Sequence, residues 1–127
     1  MLLNTRFLIT PVPKPRQTRS DKWNKRPCVM RYRAFADDVR LCGIEIPESG
    51  SHVTFHMPMP RTWSKKKKAL MDGTPHQQTP DWDNLAKSLC DAAHSNDSFI
   101  YDCRATKVWS YVGAIEITKT DDDCNKL

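Results

Sequence analysis

Between positions 52 and 57 apolar and polar residues alternate: Val53, Phe55 and Met57 interleave with His52, Thr54 and His56, until Pro58-Met59-Pro60 ends the run. Strict period two is the pattern of a half-buried strand. Downstream, Leu85, Leu89 and Ala93 recur at helical spacing with Ala86 and Cys90 beside them, which predicts an amphipathic helix over residues 84–94. A chain that carries both periods folds as helices layered on a sheet.

The remaining segments extend that pattern. Residues 6–12 are β-prone and run into Pro-x-Pro-x-Pro, predicting one strand and then a stiff extended stretch. Residues 29–42 place Tyr32, Phe35, Ala36, Val39 and Cys42 on one helical face, with Gly43 where a helix stops. Residues 44–51 form a Pro/Gly/Ser turn region. Ser64 offers an N-cap and Gly73 a stop around a short helix whose first turn is almost wholly lysine; residues 73–79 then read as a polar linker. Residues 108–111 and 114–118 read as two strands joined through Gly113 in a hairpin. The order β-(loop)-α-β-α-α-β-β predicts a small single α/β (α+β) domain with a mixed sheet packed by helices. It spans residues 1–120 and is followed by an acidic tail, 121–127, expected to be disordered.

Size and composition agree with one domain: 127 residues, 39% apolar and 28% charged. No window approaches the ~18 apolar residues of a membrane span, and Asn4 and Arg6 interrupt the apolar start, so the expected location is the cytoplasm, with no membrane partner. Five cysteines, an odd number without a C-x-x-C pair, predict buried reduced thiols rather than disulfides. His52 and His56 share a strand face but lack a third ligand at suitable spacing for zinc.

Charge is divided unevenly. Up to Pro80 there are 15 Lys+Arg against 6 Asp+Glu, a balance of +9; from Asp81 onward there are 5 against 9, a balance of −4. Residues 14–26 are densely cationic with no apolar period and only Trp23 aromatic, so they are not core and form a candidate DNA-contact arm. A basic surface beside a knot of carboxylates suits phosphodiester chemistry, since cations hold the polyanion and carboxylates hold a divalent metal.

The carboxylates concentrate in Thr79-Pro80-Asp81-Trp82-Asp83-Asn84-Leu85-Ala86-Lys87. Asp81 and Asp83 point the same way on an extended chain and diverge by about 200° on a helix, so they converge only if the helix begins after Asp83, with Asp83 or Asn84 as its cap. A loop that folds back would bring Asp102 to them, and three clustered carboxylates select Mg²⁺ or Mn²⁺ over zinc. The plainer alternative is that Asp81 and Asp83 complement the helix dipole while Lys87 makes an ordinary surface pair. Trp82 is expected to pack at the core boundary or to lie against DNA.

On these residues the chain resembles the RusA Holliday-junction resolvases common in phages and prophages. The resemblance runs from the basic segment at Lys14 (KPRQTR) through Trp63-Ser64-Lys65-Lys66-Lys67-Lys68 to the last strand. Its specific part is Asp81-x-Asp83-Asn84-x-x-Lys87, then Leu89, Asp91 and Ala92, then Tyr101-Asp102. The family often has two adjacent aspartates where this chain has Tyr101-Asp102, so only Asp102 carries over. The resemblance implies a homodimer of small α/β subunits that uses Mg²⁺ and aspartates to nick four-way DNA junctions symmetrically, without a small-molecule cofactor. Asp81, Asp83 and Asp102 would bind the metal and catalyse, with Lys87 as the essential lysine and Asn84 in support. Lys14, Arg16, Arg19, Lys65, Lys66, Lys67 and Lys68 would contact phosphates. Two other readings are a PD-(D/E)-x-K nuclease, whose spacing Glu116-Ile117-Thr118-Lys119 misses by one residue, and a non-catalytic module that binds branched DNA.

Overall fold

Strand β2 (Ser51–Pro58) buries Val53, Phe55 and Met57 on one face and leaves His52, Thr54 and His56 half-buried on the other, as the alternation predicts. The computed structural model describes residues 2–15, 26–47, 49–93 and 100–120. Arg16, Arg19, Trp23 and the acidic tail at 121–127 lie outside the described residues.

Around β2 the sheet assembles with β1 (Leu2–Phe7), β3 (Cys103–Ser110) and β4 (Ala114–Thr120) in the order β1-β4-β2-β3. β2 runs parallel to β3, Val53 opposite Ala105, and antiparallel to β4, Phe55 opposite Ile115; β4 pairs antiparallel with β1. Helices α1 (Pro27–Leu41), α2 (Lys65–Met71) and α3 (Trp82–Ala93) complete the α+β domain. The parallel β2–β3 pair requires a long crossover, and α2 and α3 lie within it.

The hairpin expected at Gly113 does not form, because β2 lies between β3 and β4. The three-residue connection Tyr111-Val112-Gly113 crosses two strand spacings, about 10 Å, within the reach of an extended chain. The central position lets β2, with its three buried apolar side chains, pair along both edges. Gly113 is needed here for closeness: a Cβ would stand 2.8 Å from the Cα of Thr10.

Other boundaries also shift. β1 ends at Phe7, where Ile9 N–H turns back to Phe7 O at 2.9 Å, and residues 8–15 leave the sheet because Pro11, Pro13 and Pro15 have no N–H for a ladder. β3 begins five residues earlier than its apolar signal, since edge-strand pairing with β2 recruits the exposed residues Cys103 and Arg104.

One face of the sheet carries the core, where Phe35, Ala36 and Val39 of α1 and Leu85, Leu89 and Ala92 of α3 meet Val53, Phe55, Ile115 and Ile117. Ile44 and Ile46, from the expected turn region, are also buried in it. Cys42 caps α1 and is exposed, so it does not join the apolar face assigned to it. Buried thiols are likewise not what the described cysteines show: Cys28 and Cys90 are half-buried, and Cys42 and Cys103 exposed. On the opposite face His52 Nε2 and Thr106 Oγ1 stand 2.8 Å apart, as do His56 Nε2 and Glu116 Oε1 at 3.1 Å. No described helix is long and apolar enough to cross a membrane.

Candidate active site

The route to the site begins in the segment expected to be a loose linker. Gly73 N–H donates to Trp109 O at 2.9 Å, Trp109 N–H to Thr74 O at 2.9 Å, and His76 N–H to Lys107 O at 3.1 Å, with an antiparallel bridge from Pro75 to Val108. Residues 73–76 thus line the outer edge of β3 and satisfy backbone groups that an edge strand otherwise leaves open. His76 is buried with its ring against Trp109 at 4.3 Å between centroids, and Trp109 in turn meets Trp63 at 4.7 Å. Burial, then the charge of Lys107, pushes the His76 imidazole below its usual pKa, and its Nδ1 has no hydrogen-bond partner.

Beyond His76 the chain passes Gln77, Gln78, Thr79 and a cis Thr79-Pro80 peptide before α3. Lys107 Nζ reaches out from β3 and donates to Gln78 O and Pro80 O, both at 2.6 Å. A cleft of about 520 Å³ opens there, lined by Gln77, Gln78, Thr79, Asp81, Trp82, Asp83 and Lys107. Lys107 is absent from the sequence candidates. In the sequence it is a lone cation just ahead of the strand expected at 108–111, and its nearness to residues 77–83 comes from the crossover.

The helix starts earlier than expected. α3 begins at Trp82, and Leu85 N–H donates to Asp81 O at 3.1 Å, so Asp81 sits at the cap and Asp83 in the first turn, where its Oδ1 accepts Asn84 N–H at 2.9 Å. Both carboxylates still line one cleft, because the helical divergence applies only between two helical residues and Asp81 remains outside the helix. Trp82, between them, is 58% exposed, so it does not pack into the core boundary; its helix turns Leu85 and Leu89 inward instead.

Asp102 precedes β3, where its Oδ2 accepts Gly50 N–H at 3.0 Å, and it does not line the cleft. Among the described residues, no three His, Cys, Asp or Glu side chains form a group that holds a metal ion. The cleft wall carries the carboxylates of Asp81 and Asp83 beside the Lys107 ammonium, with neither thiol nor imidazole. That composition fits a hard divalent cation, which commonly binds through one or two carboxylates and completes its shell with water and substrate phosphate.

The proline-stiffened segment after β1 is fastened along α3. Ser88, fully buried, donates its hydroxyl to Val12 O at 2.6 Å, and Lys14 N–H donates to Asn84 Oδ1 at 3.2 Å. Lys14 Nζ forms an ion pair with Asp91, whose other oxygen lies 3.5 Å from Lys87 Nζ. Lys87 therefore faces Asp91, one turn on. Among the lysines of α2, Lys65, Lys66 and Lys67 are exposed and Lys68 half-buried; Ser64 Oγ caps the helix by accepting Lys67 N–H at 3.1 Å, and Lys67 Nζ sits 4.3 Å over the Trp63 ring.

No curated protein matches the chain. The family model described as Endodeoxyribonuclease RusA matches residues 9–119, from the proline-stiffened segment through α3 and the acidic cleft into β4. Nucleases of this kind generally depend on a divalent metal, and this family acts on DNA junctions. With almost the whole described domain inside that match, the chain belongs to the RusA endodeoxyribonuclease family, the Holliday-junction resolvases.

Proposed function

We propose that the chain resolves four-way DNA junctions by paired symmetric nicks as a Mg²⁺-dependent homodimer, with the cleft at Asp81 and Asp83 as its catalytic centre. The observation that carries this reading is the presence of both carboxylates in the wall of one cleft of a chain from this family. Asp81 and Asp83 would hold Mg²⁺, with Mn²⁺ able to substitute, and Asp102 is the third carboxylate of the same reaction. When bound, the cation supplies a more acidic water and offsets the charge that builds on the scissile phosphate.

The protein's own groups do the rest. Lys87, on the turn of α3 after Asp83, meets the developing negative charge at the phosphate or orients the nucleophile. Asn84 supports the site by tying the start of the basic arm to α3 through the Lys14 backbone. Lys14, Arg16, Arg19 and Lys65 to Lys68 hold the phosphate backbone, so affinity is salt-dependent and carries no base reading. Preference for a branched substrate follows from shape, two subunits presenting two clefts about a two-fold axis.

The test is cleavage of an end-labelled synthetic four-way junction with Mg²⁺, beside plain duplex, an EDTA control and the Asp83→Asn protein. Paired symmetric nicks on the junction alone, lost with EDTA and in the variant, are expected. Tight junction binding without nicking under any divalent metal would refute the catalytic reading.

A further inference from the structure

We infer that Lys107 is a positioning residue of the cleft: it holds the backbone that presents Asp81 and Asp83 to the metal. This rests on the assignment of those two carboxylates as metal ligands. One residue of β3 grips the incoming chain at three alternate positions. Its carbonyl accepts His76 N–H at 3.1 Å, and its ammonium donates to Gln78 O and Pro80 O at 2.6 Å each. The next residue is Asp81.

The chemistry fits that role. Residues 78–80 belong to neither helix nor strand, so their carbonyls lack a ladder to satisfy them, and the Lys107 ammonium supplies charge-assisted hydrogen bonds to two of these carbonyls. Lys107 is anchored in turn by β2, Phe55 being its register partner, and Phe55 is fully buried in the core. The grip thus ties the entry to α3 to the paired strands β2 and β3. A ligand set is useful only if it is held to within about 0.5 Å by groups that are themselves fixed. Donation to these main-chain carbonyls turns the ammonium toward the loop that enters α3.

The experiment uses the full-length protein and its Lys107→Met, Lys107→Gln, Lys107→Arg and Asp83→Asn variants. Mn²⁺ affinity is read from the free-ion electron paramagnetic resonance signal, single-turnover nicking of a four-way junction is measured in Mg²⁺, and junction affinity is measured in EDTA. Lys107→Met is expected to weaken Mn²⁺ binding and to slow nicking by roughly 10- to 100-fold, the scale of misplacing a reacting group by about 1 Å. Junction affinity in EDTA stays within about twofold, since the change is in cleft geometry and not in phosphate contacts. Lys107→Arg, which keeps donors and charge, recovers most of both losses; Lys107→Gln shows the same defect as Lys107→Met and replaces it should the methionine variant not fold. Wild-type Mn²⁺ affinity and nicking in Lys107→Met or Lys107→Gln, with Asp83→Asn defective, overturns the positioning role alone. Wild-type Mn²⁺ affinity in Asp83→Asn overturns the ligand assignment and the positioning role with it.

Discussion

Lys14 pairs with Asp91 across 77 residues of chain, fastening the start of the basic arm to the last turn of α3. Asp91 also faces Lys87, so one carboxylate restrains two of the cations expected to meet DNA. Both partners of the long-range pair are partly exposed, which limits its worth to about 1 kcal/mol. Asp91→Asn is expected to lower the free energy of unfolding by that amount while junction binding becomes tighter and more salt-dependent. Equilibrium unfolding and binding at graded salt check the two effects.

Ser88→Ala leaves the Val12 carbonyl without its buried donor. The expected loss is about 1–3 kcal/mol, the cost of an unsatisfied buried acceptor. Denaturant unfolding reads it as a lower midpoint at unchanged slope.

His76 makes stability depend on acidity with a definite sign. Its folded pKa lies below the ordinary 6.5, chiefly because of burial and then because of Lys107. Between the folded value and 6.5 the unfolded chain binds more protons, so stability falls as the pH is lowered through 6.5 and levels off below the folded value. His76→Phe keeps the stacking on Trp109 and removes this contribution; its urea midpoint is expected to be flatter than wild type between pH 7 and pH 5. His52, also shifted down by burial, leaves a residual slope of the same sign.

Neutralising Lys66 and Lys67 together is expected to weaken junction binding and to reduce the slope of log K against log salt by roughly 1 to 2. An unchanged slope would make the run a solvated face. Because Lys67 lies over the Trp63 ring, the single Lys67→Ala change also costs about 0.5–1 kcal/mol of stability.

Lys87→Ala separates binding from chemistry. Junction affinity is expected to hold, since the α2 lysines and the arm still meet phosphates, while nicking falls by roughly 10²- to 10³-fold, as on loss of one electrostatic donor at a reacting oxygen. Normal nicking by the variant would remove Lys87 from the reaction.

The elements themselves were legible in the sequence because their causes are local. Alternation in residues 52–57 exposes a strand, the spacing of Leu85 and Leu89 a helix, Ser64 and Gly43 the ends of two others, and Asp81-x-Asp83-Asn84-x-x-Lys87 marks the acidic cleft. The tertiary structure decided what meets what. Period two says which face of a strand is buried but not which strand lies beside it, so the insertion of β2 between β3 and β4 has no trace in residues 108–118. A hydrogen bond from a side chain to a distant carbonyl leaves no residue pattern, since every residue carries that carbonyl. The linker at 73–76 became an edge for β3, and Lys107 became the brace of the cleft, for that reason. The parallel register of β2 with β3 brings Asp102, just ahead of Cys103, to Gly50, just ahead of Ser51, and no pattern in the residues announces that contact.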